Sequence, residues 1–136
     1  MVKIISLARK KIIFCKLEDT VEIIAKIMVD NNIGSVLVKD VNINTYVGFI
    51  DDKMMFRLLT TGENPIPKKA KEIMKPLILL NGNLEIEEAW KEIDRKETDR
   101  FGVTDESNNV IGIVKKKTIG MLRLKQFKQK LGIEDI

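Results

Sequence analysis

The densest group of side chains that could do chemistry is acidic. It comprises four carboxylates within eight positions: Glu85, Glu87, Glu88 and Glu92. Carboxylate pairs of this kind bind Mg²⁺ or act as general acid and base. No histidine and no phosphate-binding loop accompanies the group, so we interpret it as the solvent-facing side of a helix.

Nucleophilic and metal-dependent catalysis have few candidate residues in this sequence. Histidine is absent, which excludes a Ser-His-Asp or Cys-His nucleophile and a His-ligated metal. The one cysteine, Cys15, cannot form an intrachain disulfide, and we interpret it as a buried strand residue. Asp51 and Asp52 could hold a cation, but adjacent acids at a helix start are explained more simply by capping. We therefore expect a protein that is not an enzyme.

Basic residues are concentrated at the two ends of the chain. Residues 1–17 carry five basic and no acidic side chains, and residues 115–130 carry seven basic and no acidic ones. The whole chain has 24 basic and 20 acidic residues, a net charge of +4. Lys115, Lys116 and Lys117 precede a predicted helix, where an anion is favoured. Such ends attract phosphate, nucleic acid or an acidic protein surface, and the alternative is a solvated lysine face.

Length and composition indicate a folded domain. The chain has 136 residues, of which 44% are hydrophobic and 32% charged, enough for one domain or two small units that share a core. No apolar run approaches the roughly 18 residues that span a bilayer, and we find no signal peptide, so we expect a cytoplasmic protein. Abundant Ile, Lys and Glu favour a thermophilic source.

An internal repeat organises the chain. Shifted by 65 positions, residues 21–28 align with 86–93 and residues 36–40 with 101–105; shifted by 64, residues 47–50 align with 111–114. Each half predicts the element order β-α-β-β-α. Two prolines and a glycine within residues 61–68 predict the linker. Units of about 60 residues bury little surface alone, so we expect both to share one core, with a pseudo-twofold cleft between them.

The repeated motifs resemble a tandem pair of CBS domains, the Bateman module. The first half carries Asp19-Thr20-Val21, Asn32-Ile33-Gly34-Ser35 and Val47-Gly48-Phe49-Ile50, and the second carries Asp99-Arg100-Phe101-Gly102-Val103 and Val110-Ile111-Gly112-Ile113-Val114. The resemblance implies an α/β (α+β) fold of two pseudo-twofold-related β-α-β-β-α CBS units packed as one Bateman module. It places the first CBS domain at residues 7–62 and the second at residues 69–131.

The same resemblance implies a site for adenosyl ligands. Ligand-binding members place Thr or Ser after a glycine and two apolar residues, and a ribose-binding Asp three positions later. Here Asp51 and Met54 occupy those positions in the first half, and Lys115 and Thr118 in the second. Neither half keeps the ribose carboxylate at that place. Members also often place a basic residue that contacts the ligand's phosphate at the position of Arg100. This resemblance favours the second half as the anion site.

We therefore predict the ligand-binding residues mainly in the second half. The candidates there are Arg100, Ile113, Lys115, Lys116 and Thr118, and those in the first half are Ser35, Phe49 and Asp51. AMP, ADP, ATP or S-adenosylmethionine would be the regulatory ligand. The alternative is that Arg100 pairs with Asp99 or Glu97 and that the lysines are solvated.

Two predicted helices, residues 51–59 and 118–131, are apolar on more than one side. This pattern predicts a homodimer or a docking surface for a partner. The candidate interface residues are Met54, Met55, Leu58, Met121 and Leu122. The alternative is that both helices fill the core of the monomer.

Taken together, these features predict a free-standing regulatory module that senses a ligand and regulates an unknown protein partner. An alternative is a nucleic-acid-binding or purely scaffolding protein that uses the basic segment 115–130, although aromatic residues do not interleave its lysines.

Overall fold

The computed structural model describes residues 2–133, and these form two compact units. The first-repeat unit comprises residues 12–77. The second-repeat unit comprises residues 2–11 and 78–133. Each repeat shows the predicted order β-α-β-β-α. The packing units differ from the sequence repeats at one point, because the stretch that leads into each repeat packs with the other repeat.

The first-repeat unit is built on a four-stranded sheet. Its elements are β1 (Phe14–Lys16), α1 (Val21–Asp30), β2 (Ser35–Asp40), β3 (Thr45–Asp51), α2 (Asp52–Leu58), α3 (Ala70–Ile73) and β4 (Lys75–Pro76). The strand order is β1-β2-β3-β4. The β1–β2 pair is parallel, and the β2–β3 and β3–β4 pairs are antiparallel.

The second-repeat unit has a three-stranded sheet of the same design. A 3₁₀ turn (Ile4–Ser6) precedes β5 (Ile78–Asn81), α4 (Ile86–Ile93), β6 (Arg100–Thr104), β7 (Val110–Lys115) and α5 (Lys116–Lys130). The order is β5-β6-β7, with β5–β6 parallel and β6–β7 antiparallel. Arg9 extends this sheet, because it forms an antiparallel bridge with Ile113 on β7.

Local sequence signals explain several element boundaries. The Thr20 hydroxyl accepts from the backbone N–H of Ile23 and forms the N-cap of α1. Asn32 ends the helix with a φ of 50°, a left-handed conformation that asparagine tolerates. Asn44 and Asn108 have φ values of 51° and 63° and turn the two β-hairpins.

The core of the second-repeat unit lies between one sheet face and the helices. Phe101, Val103 and Val114 of the sheet pack in one buried cluster with helix residues such as Ala89 and Ile119. Because side chains alternate along a strand, Arg100, Gly102, Ile113 and Lys115 must project from the opposite face. We call this the helix-free face of the second-repeat sheet.

A close backbone approach explains the glycine that both repeats place in their last strand. A Cβ on Gly112 would lie 2.8 Å from Cβ of Ala8 and 2.9 Å from the carbonyl oxygen of Arg9. A Cβ on Gly48 would lie 2.6 Å from Sδ of Met74 and 2.8 Å from the carbonyl oxygen of Lys75. Each glycine therefore admits the lead-in segment of the other repeat.

Candidate functional site

Strand register brings three cationic side chains to the helix-free face. Arg100 on β6 lies directly opposite Lys115 on β7, and Gly102 lies opposite Ile113. Arg9 lies opposite Ile113 on the other side of β7, with paired backbone hydrogen bonds of 2.8 and 3.0 Å. Residues directly opposite each other in adjacent strands point to the same face. Arg9, Arg100 and Lys115 therefore share one face around Ile113.

One of these cations is buried and a second is partly buried. Arg100 is only 8% exposed, and Arg9 is half-buried. Nε and Nη2 of Arg9 are buried and have no hydrogen-bond acceptor among residues 2–133. Burial, and then the nearby charge of Arg100, lower the pKa of the Arg9 guanidinium. A buried guanidinium beside a second one favours an anion that would accept from it.

The remaining predicted residues of this half lie at the start of α5. Lys115 is the N-cap residue and is exposed, and Thr118 is exposed in the first turn. Lys116 faces elsewhere: its Nζ donates to the backbone carbonyls of Asp94 at 3.0 Å and Lys96 at 2.6 Å. It therefore caps the end of α4, whereas Lys115 remains with Arg100.

The corresponding face of the first-repeat sheet has different chemistry. Ser35 lies opposite Asp51, Leu37 opposite Phe49, and Phe49 opposite Lys75. Leu37 and Phe49 are fully buried where the second-repeat unit has Gly102 and Ile113, so larger apolar side chains occupy this face. Only one cation, Lys75, corresponds to the three of the second unit.

Asp51 has a structural role in addition to its place on this face. It is 5% exposed and forms the N-cap of α2, where its carboxylate accepts from the backbone N–H of Met54 at 2.9 Å. Capping was the predicted explanation of the Asp51-Asp52 pair, and Asp52 in the first turn fits it as well. The negative charge of Asp51 disfavours a phosphate here.

The acidic group of the sequence is a helix surface. Glu87, Glu88 and Glu92 of α4 are exposed, and its N-cap residue Glu85 is half-buried. The Glu88 carboxylate accepts from the backbone N–H of Glu85 at 3.1 Å, and Glu87 accepts from Nε of Arg123 at 3.0 Å. Within residues 2–133, no three His, Cys, Asp or Glu side chains form a group that could hold a metal ion.

Both units expose an apolar groove on their helices. In the first-repeat unit, a groove of about 530 Å³ is lined by α1 and α2, with Val29 and Phe56 strongly exposed beside it. In the second-repeat unit, a groove of about 470 Å³ is lined by Trp90 and α5, with Met121 and Leu124 exposed. Equivalent helices therefore present equivalent apolar surfaces in the two repeats.

The predicted interface residues divide between these surfaces and the core. Met121 is exposed, and Met55 and Leu58 are half-buried. Met54 is only 8% exposed inside its own unit, and Leu122 packs against the core of the second-repeat unit. The alternative that the helices fill the monomer core thus applies to Met54 and Leu122, and the exposed apolar side chains lie at neighbouring positions.

Helix α5 is basic, but some of its charge is already engaged. Arg123 pairs with Glu87 and lies over the Trp90 ring at 5.6 Å, and the ammonium group of Lys116 contacts backbone carbonyls. Phe127 is the single aromatic residue of the helix, so the bases of a nucleic acid would have little to stack on.

No helix among the described residues is long and apolar enough to cross a bilayer.

The fold and the repeat identify the family. The CBS domain family matches residues 4–60 and 70–122, and the chain belongs to this family. The tandem CBS arrangement and the mixed α/β fold predicted from the sequence are therefore confirmed. Proteins of this type are typically regulatory.

Known relatives fit this assignment. UPF0053 protein MG146 of Mycoplasma genitalium is 27% identical to this chain over 88% of its residues. The chain spans only 28% of the length of that relative. The CBS domain pair of protein MJ0100, solved with 5′-methylthioadenosine and S-adenosyl-L-methionine, superposes with a TM-score of 0.73 at 20% identity, covering 92% of this chain and 98% of that one. CBSX2, solved with AMP, gives a TM-score of 0.66 at 18% identity, covering 90% and 96%.

Arg9 is the residue of this face that the sequence predictions missed. Its partner Ile113 is more than a hundred positions away, so no local pattern connects them. The available signal was the repeat itself. Lys75 precedes the second repeat as Arg9 precedes the first, and both pair with the residue that follows the close-contact glycine.

Proposed function

We propose that this chain is a non-catalytic regulatory module that senses an anionic adenosyl ligand, an adenine nucleotide, through the helix-free face of its second-repeat sheet. The observation that carries the proposal is the convergence of Arg9, Arg100 and Lys115 around Ile113. Three cations on one face match a phosphate group, and Ile113, which is 5% exposed, is the apolar side chain between them. The ligands in the structures of MJ0100 and CBSX2 support the adenosyl class.

Charge selects among the adenosyl ligands. AMP, ADP and ATP carry phosphate, whereas S-adenosylmethionine carries a sulfonium cation and methylthioadenosine is uncharged. Each charge-assisted hydrogen bond contributes about 1.5–3 kcal/mol. We therefore infer that the second-repeat unit prefers a nucleotide to a sulfonium ligand.

Isothermal titration calorimetry with AMP, ADP, ATP, adenosine and S-adenosylmethionine tests this proposal. We expect AMP to bind more tightly than adenosine and S-adenosylmethionine to bind weakest. Arg100→Gln should raise the Kd for AMP by about 10- to 150-fold, the value of one charge-assisted bond. Lys128→Gln, which removes an equal charge far along α5, is the matched control. Equal affinities for AMP and adenosine, or an Arg100→Gln variant that binds like the control, would contradict the proposal.

We also propose that two copies of the chain pair through their helical faces. The two exposed apolar grooves, one on each repeat, support this arrangement, because a surface repeated within the chain offers two contacts to a symmetric partner. Phe56 and Leu124, each more than half exposed, are the side chains that a dimer would cover.

Light scattering coupled to size-exclusion chromatography measures the assembly. We expect a dimer for the natural chain and a monomer for Phe56→Lys combined with Leu124→Lys, since two buried charges oppose the interface. Val41→Lys, at an exposed apolar residue outside both helices, controls for added charge. A natural chain that is monomeric at all concentrations would refute the pairing and leave the ligand site untouched.

A further inference from the structure

We propose that an anion bound between Arg9 and Arg100 fastens the leading segment, residues 2–11, onto the second-repeat sheet. Ligand occupancy would then control how firmly this segment is docked. The inference rests on the proposed function, since it assigns a structural consequence to the phosphate bound at the same face.

The backbone of the leading segment is well matched to its seat. Ile4 N–H donates to the carbonyl of Leu84 at 2.9 Å, and Ile5 N–H donates to Gly82 at 3.0 Å. Arg9 and Ile113 exchange two hydrogen bonds. The Ile4 side chain is fully buried in the core of the unit. These contacts favour docking with or without a ligand.

The Arg9 side chain opposes docking. When the segment docks, Nε and Nη2 of Arg9 become buried without an acceptor among residues 2–133, and the guanidinium comes near that of Arg100. Removing a charge from water without a partner, beside a like charge, costs free energy. A phosphate has several acceptor oxygens and negative charge, so it would accept from the Arg9 donors and place negative charge beside both guanidinium groups. The same anion would then contact the segment and the sheet.

The first-repeat unit supplies an internal comparison. Lys75 occupies the position of Arg9 in the lead-in strand β4, but Ser35 stands where the other unit has Arg100. Asp51, on the same face, supplies negative charge already. Lys75 has no buried donor without an acceptor among residues 2–133, so an anion should leave docking of β4 unchanged.

Hydrogen exchange of the full chain, followed by mass spectrometry, measures docking of both segments at once. The probes are AMP, inorganic phosphate and adenosine, the last as the uncharged form of the nucleotide. We expect AMP to slow exchange of the amides in residues 4–9 by about tenfold or more, the value of one charge-assisted bond. Phosphate should have the same effect at higher concentration. Adenosine should have none, and residues 74–77 should be unaffected by every probe.

Two variants identify the group responsible. Arg9→Gln should slow exchange of residues 4–9 without ligand, because the buried guanidinium without acceptors is removed, and should abolish the response to AMP. Lys10→Gln, an exposed neighbour of equal charge, should respond like the natural chain. AMP that binds by calorimetry without changing exchange at residues 4–9 would overturn this inference and leave the proposed function standing. Slowing by phosphate without AMP binding would do the reverse, and absence of AMP binding together with unchanged exchange under every probe would overturn both.

Discussion

Replacing Gly112 by alanine should loosen the leading segment, because this glycine makes room for it. The added Cβ would lie 2.8 Å from Cβ of Ala8 and 2.9 Å from the Arg9 carbonyl oxygen, roughly half an ångström inside ordinary contact. Neither neighbour is the end of a flexible side chain, so the backbone of the segment must shift. Overpacking of this kind costs about 1–3 kcal/mol. The shift would also strain the paired hydrogen bonds between Arg9 and Ile113.

Tryptophan fluorescence provides the assay. Trp90 is the only tryptophan of the chain and lies in the second-repeat unit, so its emission during urea unfolding follows that unit. We expect Gly112→Ala to lower the unfolding free energy by about 1–3 kcal/mol. Exchange at the Arg9 and Ile113 amides should become faster at the same time.

A second substitution separates contact from conformation. Ala8→Gly in the Gly112→Ala background removes the 2.8 Å contact between the two Cβ atoms, while the Arg9 carbonyl oxygen remains close. It should restore part of the lost unfolding free energy, with a coupling energy between the two substitutions of about 0.5–1 kcal/mol. Gly48→Ala is the matched change in the first-repeat unit, where Lys75 supplies the backbone oxygen at 2.8 Å. A Gly112→Ala protein with natural stability and natural exchange would refute the proposed steric reason for the glycine.

Three further predictions concern groups outside the ligand face. Burial, and then the charge of Asp19, raise the pKa of the Cys15 thiol to about 12. A disulfide reagent at pH 8 should therefore react with Cys15 only after unfolding, and rapid reaction in the folded state would contradict this. Hydrogen bonds from Lys69 and then Lys71 lower the pKa of Glu18 to about 2. The folded pKa lies below the unfolded value, so Glu18→Gln should be less stable than the natural chain above pH 4.5, and urea titrations should show the difference vanish as the pH falls towards 2. Asp51→Ala removes the α2 cap and should cost about 1 kcal/mol by the same titrations, whereas Asp52→Ala should cost little.

The order of elements could be predicted because its signals are local. Apolar spacing fixed the helices, and side chains such as Thr20 and Asn32 mark helix ends by contacts within a few residues. The family resemblance then predicted Arg100 and Lys115 as residues of one ligand site, and the β6–β7 register places them directly opposite each other.

The lead-in segments could not be predicted from such signals. Ile4 lies in an apolar stretch too short to show a period, yet it is fully buried, because its partners come from β5, α4 and the strands that follow. The choice of partner depends on tertiary packing that brings chain ends together. Lys116 was likewise predicted as a ligand residue from its place in a lysine run, whereas its direction depends on the carbonyls at the end of α4.

The two repeats show which positions the fold requires and which it leaves open. Gly48 and Gly112 are both constrained by a crossing backbone, and a larger residue at either would meet a carbonyl oxygen. The side chains on the corresponding sheet faces differ between the repeats, because Ser35 corresponds to Arg100 and Asp51 to Lys115. The same β-α-β-β-α order therefore carries one face filled by Leu37 and Phe49 and one face with three cations, and the ligand site that we propose uses only the second.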